Sequence, residues 1–148
     1  MSVTISRLAT SDRDDWDALW QGYLTFYETE VAAEITAETF ARLVPGERMQ
    51  GAIARDEAGK AIGFVNWLWH PGTWSLSDHV YLEDLFVASG VRRGGVGRAL
   101  IDFVAEDARA RGAGKVYWHT MRTNETARRL YDKIATDTGY MHYEIDLG

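Results

Sequence analysis

Val87-Ala88-Ser89-Gly90-Val91-Arg92-Arg93-Gly94-Gly95-Val96-Gly97-Arg98-Ala99-Leu100 joins an apolar strand pattern to an amphipathic helix pattern. A helix start carries free N–H groups and the positive end of the peptide dipole, so it attracts phosphate. Glycines there admit positive φ and let an anion approach without a Cβ in the way. Arg92, Arg93 and Arg98 add positive charge. A phosphate loop of the Gly-x-x-x-x-Gly-Lys-Ser/Thr type is excluded, since both the Lys and the hydroxyl are missing. A dinucleotide fingerprint fails as well, because Leu100 stands where Gly95-Val96-Gly97 would need a third glycine. Arg/Gln-x-x-Gly-x-Gly/Ala is met by Arg92, Gly95 and Gly97, with a ligand-free tight turn as the alternative.

Upstream, residues 3–8 alternate weakly as a strand, and Ser11 and Asp12 offer caps for a helix. That helix carries Trp16, Leu19, Trp20, Tyr23, Leu24 and Tyr27 at helical spacing. A second helix is expected over Ala37–Val44, stopped by Pro45-Gly46. Strands around Gln50–Arg55 and Ala61–Trp69 flank Asp56-Glu57-Ala58-Gly59-Lys60, which reads as a hairpin. His79–Val87 is the strongest strand, rich in aromatic and β-branched residues. Val96, Ala99, Leu100, Phe103, Val104 and Ala108 then mark an amphipathic helix ended by Gly112 and Gly114. Lys115–Met121 reads as a strand, and Thr123 or Asn124 caps a helix bearing Ala127, Leu130, Tyr131 and Ile134. A last strand is expected at about Met141–Leu147. The order β-α-α-β-β-β-α-β-α-β predicts an α/β fold, a mixed and mostly antiparallel central sheet flanked by helices.

With 148 residues and no linker or repeat, one domain over 1–148 is the expectation. The chain is 46% hydrophobic and 26% charged, as an ordinary globular protein is. The absence of Cys removes disulfides, thiolate metal sites and Cys nucleophiles. The four His residues show no metal-ligand spacing, so no metal is expected. A net charge of −6 argues against nucleic-acid binding. Neither a signal peptide nor a membrane span is read in the chain, and a cytoplasmic location is the expectation.

The strand Tyr81-Leu82-Glu83-Asp84-Leu85-Phe86-Val87, the glycine turn and Asn124-Glu125-Thr126-Ala127-Arg128-Arg129-Leu130-Tyr131 occur in one spacing over residues 81–131. Together they resemble the GCN5-related N-acetyltransferases, the GNAT superfamily, and the strand is similar to that of its diamine (spermidine/spermine) branch. The resemblance implies acetyl transfer from acetyl-CoA to a primary amine, by direct transfer in a ternary complex. The N–H groups of Arg93, Gly94, Gly95, Val96, Gly97 and Arg98 would then hold the pyrophosphate, with Arg92 at the start of the motif. Asn124 would bind the pantetheine arm, cap its helix, or do both. An N–H from Leu85, Phe86 or Val87 would polarise the acetyl carbonyl. Tyr131 would protonate the departing thiolate; a core aromatic is its plainer reading. Glu83 would take the proton of the ammonium acceptor, with a solvated strand carboxylate as the alternative. Neighbouring strand residues face opposite ways, so Asp84 could join Glu83 in one pocket only if the strand bulges.

The loop between the first two helices lines the acceptor side in this superfamily, which points to Tyr27, Glu28 and Glu30. Three carboxylates (Glu28, Glu30, Glu34) beside aromatics suit a cation, and equally a solvated loop. The expected acceptor is a small amine, a polyamine or an amino-acid-like one, and a homodimer is expected. Acetylation of a protein Lys or N-terminus, or a CoA sensor without catalysis, are the other readings. One departure from the family pattern is the longer run Asp132–Thr138 between Tyr131 and Gly139-Tyr140.

Overall fold

A computed structural model describes residues 2–91 and 94–148. Arg92 and Arg93 lie outside the described residues, and so does what was expected of them. Two compact units, Met1–Trp118 and His119–Gly148, are described in turn.

In the first unit, β1 (Thr4–Arg7), α1 (Arg13–Phe26), α2 (Ala33–Leu43), β2 (Met49–Arg55), β3 (Ala61–Pro71), β4 (Asp78–Val87), α3 (Val96–Ala110) and β5 (Lys115–Tyr117) follow one another. The strands lie in the order β1-β2-β3-β4-β5. Neighbours are antiparallel as far as β4, and β5 runs parallel to β4. A parallel neighbour needs a crossover, which α3 supplies. The α/β fold with a mixed, mostly antiparallel sheet is therefore what the chain forms.

The helical stripe of α1 works as its spacing predicts. Trp16, Leu19, Trp20 and Leu24 are buried and cluster with Phe40 of α2 and Phe64 of β3. Trp16 stacks on Trp20 at 5.1 Å and meets Phe40 at 5.3 Å. The Trp20 Nε1–H, which would be costly to bury alone, donates to Thr36 Oγ1 at 3.0 Å. Along α3, Val96, Leu100, Ile101, Val104 and Ala108 are buried, and Phe103 meets Trp67 of β3 edge to face. The expected hairpin at 56–60 forms because Asp56 Oδ1 accepts from the N–H groups of Ala58 and Lys60.

Four local expectations are corrected. Helix α2 begins at Ala33 and not Ala37, so Ala33 and Glu34 leave the acceptor loop for its first turn. Asp12 stands at the start of α1 without capping it; its carboxylate instead accepts from Ala9 N–H and from Arg55. Strand β5 stops at Tyr117 and not Met121, because its pairing with β4 ends at Tyr81↔Tyr117. The strand expected at 141–147 does not form: residues 135–148 are neither helix nor strand. Alternation of Met141, Tyr143, Ile145 and Leu147 supplies a face, but a strand also needs a partner for its N–H and C=O groups.

In the second unit, α4 (Glu125–Ile134) starts at Asn124, whose Oδ1 accepts from Ala127 N–H at a long 3.4 Å. No residue of α4 is buried, although its apolar positions share one face. Beyond it, Tyr140, Met141, Tyr143, Ile145 and Leu147 are all exposed.

Candidate active site

Asp84 of β4 pairs with Asn66 of β3, but Leu82 pairs with Trp67, so Glu83 has no partner across the ladder. That extra residue is a β-bulge, the condition under which two adjacent carboxylates can share a face. The Glu83 and Asp84 charges both act on Tyr23 and on Tyr81, and that of Asp84 acts on Glu83. Asp84 Oδ1 accepts from the Tyr23 hydroxyl at 2.7 Å, and Asp84 Oδ2 accepts from Asn66 Nδ2 at 3.0 Å. Glu83 accepts a hydrogen bond from the Tyr81 hydroxyl. The Tyr81 and Tyr117 rings lie 5.1 Å apart, and His70 Nε2 meets the Tyr117 hydroxyl at 2.7 Å. From α1, Tyr23 and Tyr27 pack edge to face at 5.0 Å. Two carboxylates thus sit among four phenols, those of Tyr23, Tyr27, Tyr81 and Tyr117.

Every one of these groups titrates above its ordinary range. Burial, then the Asp84 charge, pushes the Glu83 carboxyl up, and the Tyr81 bond only partly opposes this. Burial raises Asp84 also, against the stabilising bonds from Asn66 and Tyr23. Tyr81 is pushed up to about 12 by burial and by Glu83. Tyr23 is raised by burial and Asp84, Tyr27 likewise, and Tyr117 by burial and Glu83. A carboxylate held reluctantly ionised is a better proton acceptor than a free one. The phenols stay protonated and serve as donors.

The open side of β4 follows from the ladder. Ala88 N–H donates to Ile62 C=O, so by antiparallel alternation the N–H groups of Phe86 and Asp84 also point to β3. Those of Leu85 and Val87 turn the other way, toward the side where β5 has ceased to pair. Of the three candidates, Leu85 and Val87 thus turn an N–H to that side, and Phe86 turns its own to β3. The Phe86 ring packs instead toward Tyr23 and Phe64.

At the glycine turn, Gly95 is the N-cap of α3 with φ 72° and ψ 18°, the left-handed region that glycine enters without strain. Ala99 N–H closes the first turn onto Gly95 C=O at 2.9 Å. The N–H groups of Val96, Gly97 and Arg98 thus precede the first helical bond and remain available to an anion. No acidic side chain occupies that first turn. Arg98 leans toward Asp102 at 3.6 Å, so part of its charge is spent along the helix. Gly94 N–H turns back to Val91 C=O at 3.3 Å, away from that role.

The acceptor loop divides. Tyr27 ends α1 and feels the Asp84 charge. Glu28 and Glu30 are exposed, and Glu28 takes a positive φ of 53° in the turn that closes the helix. Asn124 and Tyr131 belong to the second unit, where Asn124 is the helix cap and Tyr131 is a half-covered member of α4. Sequence reasoning missed Tyr23, Asn66 and Tyr117 as members of the cluster. Asn66, a single amide inside the apolar run of β3, was the one signal that could have disclosed it.

Residues 13–135 match the acetyltransferase (GNAT) family. The chain is 38% identical to the D-amino-acid N-acetyltransferase HPA3 of Saccharomyces cerevisiae over 144 residues, covering 96% of this chain and 89% of that protein. It is 28% identical over 102 residues to the thialysine N-epsilon-acetyltransferase of Caenorhabditis elegans, covering 67% of this chain and 61% of that protein. Its fold is shared with the solved structure of AAC(6')-Iy in complex with a bisubstrate analogue, CoA-S-monomethyl-acetylneamine, at a TM-score of 0.86 and 17% identity, with 99% of each chain covered.

Proposed function

The chain belongs to the GNAT acetyltransferase family, and from that premise we propose that it acetylates the primary amine of a small amino-acid-like molecule, the amine being received between Glu83 and Asp84. The observation that carries this reading is the bulge at Glu83, which gathers two carboxylates and four tyrosines at one place on β4. An ammonium is attracted there by charge and by aromatic faces. Amino-acid-like acceptors are favoured because the 38%-identical relative is named for D-amino acids and the 28%-identical one for thialysine. Polyamines are the second reading, supported by the paired negative charge of Glu83 and Asp84.

Acetyl-CoA supplies an activated thioester, and the groups present suit it. Val96, Gly97 and Arg98 would receive its pyrophosphate on their N–H groups. Leu85 or Val87 would donate to the acetyl oxygen, where negative charge grows as the amine attacks. An amine with a reference pKa near ~10.4 arrives protonated, and Glu83 takes that proton before the nitrogen can form the new C–N bond. Asp84, anchored by Tyr23 and Asn66, holds its charge beside Glu83 and sharpens its basicity. Tyr131 would return a proton to sulfur as the C–S bond breaks, leaving amide and free thiol in a ternary complex.

Thiol release from acetyl-CoA, measured against a panel of D- and L-amino acids, lysine analogues, diamines and lysine peptides, tests the reading. Turnover should be greatest with one of the first two classes. Turnover confined to lysine peptides would overturn the small-molecule acceptor.

A further inference from the structure

A row of rings leads to Glu83 along one face of the sheet. Alternation puts His70 of β3 with His79 and Tyr81 of β4 on the face opposite to that of Trp67. The pairing Tyr81↔Tyr117 adds Tyr117 of β5 to the row. The His70 ring is fixed between neighbours, meeting His79 edge to face at 5.4 Å and Tyr117 edge to face at 5.7 Å. His79 in turn lies against Gly72, where an added Cβ would come within 2.6 Å of its ring.

Two bonds then decide where the His70 hydrogen sits. Nδ1 lies 2.9 Å from the Pro71 carbonyl oxygen, which can only accept, so Nδ1 carries the hydrogen and donates. In a neutral imidazole the other nitrogen is an acceptor. Nε2 lies 2.7 Å from the Tyr117 oxygen, so the Tyr117 hydroxyl donates to it. With its hydrogen given to His70, the Tyr117 oxygen acts as an acceptor toward anything else. Two other phenols are committed in the same way: Tyr23 donates to Asp84 Oδ1 at 2.7 Å, and Tyr81 donates to Glu83. Tyr117 also stands close to that pair of carboxylates. Its ring lies 5.1 Å from that of Tyr81, and the Glu83 charge acts on its hydroxyl. An alkylammonium, with three N–H donors and no acceptor, suits oxygens arranged like this. A Tyr117 hydroxyl turned the other way would aim its hydrogen at the cation and repel it.

We infer that His70 is a positioning residue for the acceptor: by taking the Tyr117 hydrogen, it fixes the Tyr117 oxygen to accept one N–H of the incoming ammonium. The inference rests on the proposed reception of the amine between Glu83 and Asp84. The three N–H groups of a primary ammonium then have three acceptors, Glu83, Asp84 and Tyr117. Tyr117 is the residue that touches the amine, and His70 acts through it.

NMR of the ring nitrogens in mildly alkaline buffer should show His70 protonated at Nδ1 and bare at Nε2. The opposite tautomer would overturn the inference. Kinetics then use the amine that is turned over fastest in the panel above. His70→Leu and Tyr117→Phe should each raise its KM about tenfold, as for one hydrogen bond to a charged group, and leave kcat within about twofold. The double variant should be no worse than either single one, since both changes remove the same bond. His70→Gln, whose amide oxygen can take the Tyr117 hydrogen, should recover most of the loss. Additive losses, a fall in kcat with KM kept, or His70→Gln no better than His70→Leu would make His70 a packing residue and overturn the inference. An unaltered protein that acetylates no amine of the panel would overturn the acetyl-transfer reading and this inference with it. An active protein whose KM is unmoved in His70→Leu would overturn this inference alone.

Discussion

The two units hold their candidate residues in opposite ways. Around Glu83 everything is fixed by the fold: Asp84 is bonded by Tyr23 and Asn66, and Tyr23 is wedged among Trp20, Tyr27, Phe64 and Phe86. Around Tyr131 no residue of the carrying helix is buried, and the helix begins on a cap bond of 3.4 Å. Pre-organisation by a packed core suits the charged carboxylates, because burial also tunes their basicity.

The contrast is broken most severely in the core. Trp16→Ala should cost about 3–5 kcal/mol in chemical denaturation, the range for a fully buried aromatic, since Trp16 is 0% exposed and contacts Trp20, Phe40 and Phe64. Tyr140→Ala, in the exposed tail, should cost no more than about 0.5 kcal/mol in the same measurement. Equal losses would erase the distinction between the units.

Tyr131→Phe comes next. Turnover should fall roughly 10²-fold with acetyl-CoA affinity unchanged, as when a general acid is removed. Normal turnover with chemistry rate-limiting would leave Tyr131 a packing residue.

A smaller effect is expected at Gly95. Gly95→Val forces a β-branched residue to φ 72° and costs about 1–2 kcal/mol by that route alone. Among the described residues, its chain neighbours apart, nothing lies within 4 Å of the added Cβ. Acetyl-CoA affinity should nonetheless drop by about tenfold, because the N–H groups of Val96 to Arg98 lose their aim. An unchanged affinity in a folded variant would remove the pyrophosphate from this turn.

These particulars show what the sequence could disclose. The α1 stripe, the 56–60 hairpin, β4 and α3 were legible because periodicity and turn chemistry are local. The bulge was readable only as a condition, since it depends on the register of Asn66 against Asp84, residues 18 apart. The Tyr23–Asp84 bond spans 61 residues and leaves no local trace. The strand expected at 141–147 was misjudged for the opposite reason: its alternation is strong, but alternation cannot report whether an edge is there to receive it. Helix α2 began early because Ala33 and Glu34, although they end an acidic, loop-like stretch, are good helix formers.

The smallest structural change should be the most informative about Asp84. Tyr23→Phe removes one bond to a part-buried carboxylate and should lower stability by about 1–3 kcal/mol at most. If Asp84 acts by holding the amine, the variant should raise KM for the acceptor several-fold and leave kcat within about twofold. A fall in kcat with KM unchanged would instead put Asp84 in the chemistry.

The central claim is that Glu83 is the base, and the pH dependence of kcat and kcat/KM for the unaltered protein and Glu83→Gln tests it most directly. Glu83 must be ionised to accept a proton. Burial and Asp84 raise its pKa, so activity should begin to fail, as pH drops, at a higher pH than an ordinary glutamate would allow. Glu83→Gln should lose that limb, turn over slowly near neutrality, and regain part of its rate in alkaline buffer, where free amine is abundant, with acetyl-CoA affinity unchanged throughout. Parallel profiles for the two proteins, differing only in KM, would show that Glu83 merely attracts the cation and would contradict the account.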